Sequence, residues 1–142
     1  MDIFVKRLSQ TATNPTRAHV DDAGLDLYLD KAVTVPVGGT AVATTGIAVL
    51  TPKGRVGQVN IRSGIAFNRG ITLGNGTGVI DAGYTGEIKL LLHNISKSPQ
   101  SFPAGTRLAQ ITFIKIETPE PMAVAEFPQT QRGANGFGST GV

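Results

Sequence analysis

The sequence contains no cysteine and no tryptophan among its 142 residues. Without cysteine the chain can have no disulfide bond, no thiolate nucleophile and no cysteine-ligated zinc site, although this fixes no compartment. No apolar run approaches the length of about 20 residues that spans a bilayer. The segment from Met1 to Lys6 lacks a basic stretch followed by an apolar one, so we expect no secretory signal and a cytoplasmic, or nuclear or other host-cell intracellular, location.

Concentrated positive charge is also lacking. The net charge is +3, and lysines and arginines stand singly apart from Lys6 and Arg7. Because nucleic-acid and membrane surfaces are usually bound by clustered basic residues, we expect neither as a partner. Single arginines in glycine-rich loops instead suit a small polyanion, since a guanidinium can donate to two phosphate oxygens and glycine lets the backbone approach closely.

The apolar residues occur in short runs separated by turn residues, with a turn every eight to twelve residues or so. The sequence predicts strands at residues 3–8, 24–29, 32–35, 40–50, 55–61, 71–73, 79–80, 87–92 and 107–116. Only residues 62–70 could form a short helical turn, and no segment keeps helical apolar spacing for three turns. The pattern indicates a single all-β domain, a sandwich or barrel.

The stretch from Gly78 to Glu87 contains the strongest candidate for catalytic chemistry. Its apolar ends and central glycines predict a β-hairpin, with Asp81 and Tyr84 at its mouth. A carboxylate on a rigid strand end beside an aromatic ring suits a general base next to a flat ligand. The residues alone leave open the alternative that Asp81 makes a local hydrogen bond within its turn.

The last fourteen residues, 129–142, differ in composition from the rest. Glycines are interspersed with Arg132, Phe137 and three hydroxyl residues. Such a segment cannot bury a core of its own. It is either a solvated tail or a flap that becomes ordered over a ligand.

Five short segments occur in an order that resembles the trimeric dUTPases, the deoxyuridine triphosphate nucleotidohydrolases. The five segments are 23–27 (AGLDL), 62–66 (RSGIA) followed by Gly70 and Ile71, 75–87 with its central GVIDAGY, 105–110 (GTRLAQ) and 132–141. Together they span nearly the whole chain, from residue 23 onward, which makes the resemblance much more specific than any single motif.

The resemblance implies a distorted jelly-roll or β-clip barrel at residues 1–128 and a flexible glycine-rich C-terminal flap at residues 129–142. It implies a homotrimer whose active sites are shared between subunits. The expected reaction is Mg²⁺-dependent hydrolysis of dUTP to dUMP and pyrophosphate, which would limit uracil in DNA and supply dUMP.

The resemblance also assigns roles around the base and sugar. Asp81 corresponds to the carboxylate that activates a water for attack on the α-phosphorus, and Tyr84 to the ring that packs on the deoxyribose. Asn75 corresponds to the amide that binds uracil, and Phe137 to the ring that stacks over it. The main-chain groups implied in uracil binding belong to Gly78, Val79 and Ile80.

The implied phosphate contacts come from three of the segments. The residues that would make these contacts are Arg62, Ser63, Gly64, Gln110, Arg132, Gly138, Ser139 and Thr140. Arg132 corresponds to the residue on the γ-phosphate. Asp26 corresponds to an acidic residue that reaches the Mg²⁺ through water and is not a direct ligand, as suits a cation that loses its waters reluctantly.

Some residues depart from the family pattern or have a more ordinary interpretation. Asp22 stands where serine is usual, and we expect it to lie away from the chemistry. Arg107 is interpreted as a solvated strand residue and Glu87 as a strand-end charge. We expect Phe4, Phe67, Phe102, Phe113 and Phe127 to pack in the core or an interface.

Two alternative functions are weighed against dUTP hydrolysis. A dCTP deaminase-like enzyme would share the fold, but it calls for a glutamate in the base pocket and lacks a tail of this kind. A dUTPase-like binding or regulatory module would be expected to have lost Asp81, Ser63 or the tail, and all three are present.

Overall fold

A computed structural model of the chain describes residues 2–137, and these form eleven strands and one short helix. The strands are β1 Phe4–Arg7, β2 Leu25–Tyr28, β3 Val33–Val35, β4 Thr40–Thr44, β5 Ile47–Leu50, β6 Arg55–Ile61, β7 Ile71–Leu73, β8 Gly78–Ile80, β9 Lys89–Asn94, β10 Gln100–Phe102 and β11 Arg107–Lys115. The helix α1 spans Ser63–Arg69. The prediction of an all-β fold with one short helical turn is confirmed.

Two details of the strand prediction were wrong. The run at 40–50 is not one strand, because Gly46 takes a φ of 62° and separates β4 from β5. A left-handed residue cannot continue an extended strand, so the two halves pair in different sheets. Strand β10 was missed, since its three residues, Gln100 to Phe102, carry too little apolar pattern to be recognised.

The strands form four small antiparallel sheets. Two are two-stranded, β1–β5 and β10–β3, and one is three-stranded, β4–β9–β7. The fourth has the order β2–β11–β6–β8 and carries most of the candidate site residues. Strand β6 lies at the centre of this sheet, paired over seven residues with β11 on one side and over three with β8 on the other.

Aliphatic side chains from all four sheets meet in one core. The largest fully buried side chains are Leu27, Val35, Ile47, Val49, Val59, Ile71, Ile88, Leu90, Leu92, Asn94, Leu108 and Ile111. Every sheet contributes to this set, so burial of apolar area holds the sheets together although they are not linked by hydrogen-bond ladders.

The predicted hairpin at 78–87 is not a hairpin. Strand β8 pairs with β6, whereas the next strand, β9, pairs with β4 and β7. The segment between them therefore crosses from one sheet to another. Asp81 and Tyr84 lie in this crossing.

The phenylalanines do not behave as one group. Phe102 is buried and Phe113 packs against the core, as predicted. Phe4, Phe67 and Phe127 are 73%, 89% and 88% exposed in the single chain, so the prediction that they fill the core is wrong. An interface remains the expectation for them.

Among residues 2–137, no helix has the length and apolar character needed to cross a membrane.

A turn at Gly46 joins segments that are far apart in the sequence. The carboxylate of Asp30 accepts hydrogen bonds from the hydroxyls of Ser9 (2.8 Å) and Thr11 (2.7 Å). A side chain at position 46 would meet the Cβ of Ala12 at 2.7 Å and the Asp30 carboxyl carbon at 3.0 Å. The N-terminal loop is thus held against the turn by a charge-assisted network that leaves no room for a larger residue.

We expect Asp30→Asn to lower the free energy of unfolding at neutral pH and to make that free energy less dependent on pH in the acid range. The Thr11 hydroxyl, and then the Ser9 hydroxyl, hold the pKa of the Asp30 carboxyl below its usual value. A carboxyl whose pKa is lower in the folded state stabilises the fold above the unfolded pKa of about 4 and loses that contribution as pH falls through the folded pKa. Urea unfolding at several pH values should show the gap between wild type and variant closing below about pH 4. An equal gap at every pH would contradict this, and Asp21→Asn, at an exposed carboxylate, is the control.

Candidate active site

Most of the candidate site residues lie in two pockets of the chain. One, of about 510 Å³, is lined by Asn75, Gly78, Val79, Ile80, Asp81, Tyr84, Glu87, Ile88 and Lys89. We call it the base pocket. The other, of about 260 Å³, is lined by Ala18, Asp22, Ala23, Gly24, Asp26, Arg62, Ser63 and Gln110. We call it the phosphate pocket.

Asp81 and Tyr84 are the first and last residues of a tight turn. The Tyr84 N–H donates to the Asp81 carbonyl at 3.2 Å, and Gly83 at the third position has a φ of 89°. A positive φ at that position is the requirement of a type II turn and explains the glycine. Ala82 forms a bridge to Thr51, which fixes the turn to the loop after β5.

The Asp81 side chain is exposed. Within residues 2–137 its carboxylate has no hydrogen-bond or ion-pair partner, so the local hydrogen bond considered for it is not formed. A carboxylate on a fixed turn with free oxygens can accept a proton from a water molecule. The Tyr84 ring is 45% exposed beside it, with its hydroxyl donating to the Glu87 carbonyl at 3.1 Å.

The other end of the base pocket is built by the turn between β7 and β8. Asn75 lies exposed in this turn, and its carbonyl accepts from the Thr77 N–H at 2.8 Å. At Gly78 an added Cβ would lie 3.0 Å from the Cβ of Val59. A side chain there would push β8 away from β6, so glycine is needed for the close pairing of the two strands.

Glu87 has a structural role, as its interpretation as a strand-end charge suggests. Its Oε1 accepts from the Gly46 N–H at 2.9 Å, and its Oε2 lies 3.8 Å from the Lys89 ammonium. Although Glu87 lines the base pocket, one of its oxygens is already engaged by the backbone.

The phosphate pocket is centred on an aspartate between two arginines. Asp26 Oδ1 lies 3.0 Å from Nε of Arg62, and Asp26 Oδ2 lies 3.2 Å from Nη1 of Arg107. The Asp26 side chain is 10% exposed, whereas those of the arginines are 33% and 45% exposed. Arg107 is exposed on its strand, as predicted, but its side chain is also paired with Asp26, which the sequence did not indicate. One aspartate with two arginines leaves this group of three with a net charge of +1, which suits an anionic ligand.

Asp22 also lines the phosphate pocket, closer to the candidate site than expected; that it takes no part in the chemistry stays a prediction. Its Oδ2 accepts from the His19 N–H at 2.9 Å, so the carboxylate closes its own loop. The loop from Ala18 to Asp22 has no periodic pattern, and nothing in the sequence indicated that it folds over the pocket.

Strand β6 separates the two pockets. In its register with β8, Gly57 is paired with Ile80 and Gln58 with Val79. Extending this register by one residue places Asp81 opposite residue 56. Arg62 follows the far end of the same strand, six residues on. At about 3.3 Å per residue the two side chains are anchored about 20 Å apart within one chain.

The remaining predicted residues are not brought to either pocket in the single chain. Gly64 lies exposed in the first turn of α1. Arg132 and Phe137 are exposed, and the Arg132 Nε donates to the Asn135 carbonyl at 3.0 Å. Gly138, Ser139 and Thr140 lie outside the described residues.

The side chains present suit an indirect role in magnesium binding. No group of three or more histidine or acidic side chains that could hold a metal ion occurs in the described part of the chain. Both oxygens of Asp26 are already engaged by arginines, but each retains a lone pair that can accept from a metal-bound water. A Mg²⁺ ion held mainly by ligand phosphates and waters fits this donor set, and a direct protein site does not.

Comparison with known proteins decides the family. The family model described as dUTPase matches residues 10–141. The chain belongs to the dUTPase family.

Curated dUTPases resemble the chain over its full length. The probable deoxyuridine 5'-triphosphate nucleotidohydrolase of Schizosaccharomyces pombe is 42% identical over 142 residues, which is 100% of both chains. The deoxyuridine 5'-triphosphate nucleotidohydrolase of Clostridium kluyveri is 41% identical and covers 99% of both.

Solved dUTPases share the fold. A variant of the Staphylococcus bacteriophage 80alpha dUTPase, solved with dUpNHpp, superimposes with a TM-score of 0.92 at 31% identity, covering 99% of each chain. A variant of the dUTPase from phage phi11 of S. aureus, which shows a structural Mg(II) ion, gives 0.84 at 28% identity and covers 91% of this chain and 100% of that one. The predicted fold class is confirmed.

We expect Gly24→Ala to impair the phosphate pocket by displacing Gln110. An added Cβ at position 24 would lie 2.5 Å from Oε1 and 3.1 Å from Cβ of Gln110. If Gln110 donates to phosphate as predicted, its displacement should weaken pyrophosphate binding roughly ten- to a hundredfold, as calorimetry can measure. The double variant with Gln110→Ala should be no weaker than Gln110→Ala alone, because both changes remove the same contact. If the two substitutions weakened pyrophosphate binding independently, so that their effects multiplied in the double variant, Gly24→Ala would not act through Gln110.

Proposed function

We propose that this protein hydrolyses dUTP to dUMP and pyrophosphate. The observation that carries the proposal is the exposed carboxylate of Asp81, which has no hydrogen-bond or ion-pair partner within residues 2–137 and is held on a fixed turn in a pocket with Tyr84 and Asn75. Family membership supports it, because relatives of this length and similarity are named for the same hydrolysis.

In the proposed mechanism the base pocket supplies recognition and the general base. Asn75 and the main chain of β8 bind uracil, and the Tyr84 ring packs on the deoxyribose, where a ribose 2′-hydroxyl would collide with it. Asp81 takes a proton from a water molecule, whose oxygen attacks the α-phosphorus. The bond to the bridging oxygen breaks, and pyrophosphate leaves. A base positioned in this way commonly accounts for a rate factor of about 10² to 10⁴.

The phosphate pocket holds the triphosphate. Arg62 and Gln110 donate to phosphate oxygens, Ser63 donates to the bridging oxygen of the leaving group, and Asp26 keeps Arg62 in place and would accept from a water on the bound metal ion. When bound, Mg²⁺ neutralises part of the charge on the phosphates. Arg132 and Phe137 are proposed to reach the substrate from the C-terminal flap at 129–142.

We propose that the active unit is a homotrimer in which each site combines the base pocket of one subunit with the phosphate pocket of another. The attacked α-phosphorus must lie close to both Asp81 and Arg62, but their main chains are about 20 Å apart along β6. A single chain cannot satisfy this, whereas a closed ring of identical subunits can. The exposed Phe4, Phe67 and Phe127 are suitable surfaces for such contacts.

The substrate is tested by measuring pyrophosphate release with Mg²⁺ from dUTP, dCTP, dTTP and UTP. We expect release from dUTP alone, because the uracil contacts reject the other bases and Tyr84 rejects ribose. Deamination of dCTP would favour the alternative enzyme of the same fold. Absence of any reaction with tight dUTP binding would favour a binding module.

Asp81→Asn should leave dUTP binding nearly intact and lower kcat by roughly 10² to 10⁴. The amide keeps the shape of the side chain but cannot accept the proton of the attacking water. Single-turnover kinetics and equilibrium binding separate the two effects. Turnover near the wild-type rate would exclude Asp81 as the base.

The shared site is tested by mixing two inactive variants, Asp81→Asn and Arg62→Ala. In randomly reassembled trimers about a quarter of the sites would draw an intact Asp81 from one subunit and an intact Arg62 from its neighbour. We therefore expect activity to return after the two are unfolded and refolded together, but not after they are refolded separately. Failure to recover activity in trimers shown to be mixed would mean that both residues act from the same chain.

A further inference from the structure

We propose that Arg107 is a positioning residue for the phosphate pocket, acting through Asp26 to set the place and the effective charge of Arg62. The inference rests on the proposed function, since it gives Arg62 the task of binding substrate phosphates. Arg107 itself lies outside the side chains that line the pocket.

The contacts leave one face of Arg62 free for a ligand. Its main-chain N–H donates to the Leu108 carbonyl at 3.0 Å, and its Nε faces Asp26. Its Nη1 makes a long contact of 3.5 Å to the Arg107 carbonyl. Among the described residues Nη2 has no protein partner. The arginine is thus held from behind, with its outer nitrogen available to a phosphate oxygen.

A β-bulge brings Arg107 to Asp26. Gln110 is level with Asp26 across β11 and β2. In a regular ladder Arg107 would then be level with residue 29, and its side chain would lie on the opposite face of the sheet from Asp26. A register shift at the start of β11 instead sets Arg107 level with Tyr28, two residues from Asp26 and on the same face.

The charges explain what Arg107 adds. Asp26 meets Arg62 through one oxygen and Arg107 through the other, so its single negative charge is divided between two guanidinium groups. Without Arg107, Asp26 and Arg62 would form a neutral pair, and Arg62 would be drawn onto the carboxylate. Its attraction for phosphate would fall although Arg62 itself was unchanged.

Arg107→Ala is the central variant, compared with Arg107→Lys and with Arg7→Ala. Arg7 ends β1 and its side chain donates to the Gln10 carbonyl. Arg7→Ala therefore removes an arginine from a strand end and changes the net charge by the same amount as Arg107→Ala. We expect Arg107→Ala to lower kcat/KM for dUTP roughly ten- to a hundredfold, as is usual when a partner that orients a binding group is removed. Arg107→Lys should fall between wild type and Arg107→Ala, because it keeps the charge but not the planar fork. Arg7→Ala should match wild type.

A double-mutant cycle with Arg62→Ala tells positioning from direct contact. If Arg107 acts through Arg62, its removal should matter little once Arg62 is gone. If it binds phosphate itself, the two losses should multiply, and the proposal is overturned. Raising the ionic strength should narrow the gap between wild type and Arg107→Ala, because exposed charges are screened by salt.

A second probe keeps the inference separate from the proposed function. Inorganic pyrophosphate binding, measured by calorimetry on each folded trimer, should weaken in Arg107→Ala by a similar factor whether or not dUTP is hydrolysed. Wild-type protein that is inactive on dUTP would overturn the proposed function alone. A variant with wild-type pyrophosphate affinity would overturn the role of Arg107, as would a loss of melting temperature with unchanged affinity per folded trimer. If Arg107→Ala does not fold, Arg107→Lys serves as the test. The role of Arg107 would be overturned if Arg107→Lys bound pyrophosphate with the wild-type affinity and with the wild-type dependence on salt.

Discussion

The antiparallel pairing of strand β6 is the constraint on which the site depends. This strand is bound on one side by β11, which brings Gln110 and Arg107, and on the other by β8, which leads to Asp81. Its register places the base pocket and the phosphate pocket at opposite ends of one rigid element. Rigidity gives each pocket its geometry, and the length of the strand holds Asp81 and Arg62 about 20 Å apart within one chain.

The phosphate pocket shows how a carboxylate can hold a cluster of positive charge in a fixed geometry. A bare arginine cluster would repel itself and spread into solvent. Asp26 holds two guanidinium groups in one geometry with a net positive charge, because its partly buried oxygens each take one partner. An arrangement of this kind lowers the cost of organising the pocket when an anion arrives.

The sequence predicted the elements of the fold better than their pairing. Strands β6 and β7 and the helix were found because turn residues delimit apolar runs, but the partner of β8 was misassigned to a hairpin. Sequential proximity favours hairpins, and only the register with Val59 and Gly57 reveals that β8 belongs to another sheet. Strand β10 escaped notice because two of its three residues are polar.

The same limit applies to the site. Asn75, Asp81 and Tyr84 could be chosen from the sequence because turn chemistry and motif order mark them. The pairing of Arg107 with Asp26 could not be predicted, since the side chain reaches Asp26 only by way of a one-residue irregularity that leaves no mark in hydrophobic periodicity. Asp22 enters the pocket on a loop, where no periodic rule predicts direction.

Hydrogen bonds at the Gly46 turn connect the N-terminal segment to the turn that carries the proposed catalytic base. The Gly46 N–H donates to the Glu87 carboxylate, and the Gly46 carbonyl accepts from the Leu8 N–H. The Glu87 carbonyl in turn accepts from the Tyr84 hydroxyl. Leu8 is therefore connected to the turn that carries the proposed base by three hydrogen bonds, through Gly46 and then Glu87. Trimming the N-terminus as far as Ser9 would therefore remove one partner of the Gly46 turn as well as strand β1, so an N-terminal truncation changes the surroundings of the candidate site and not only a distant edge of the fold.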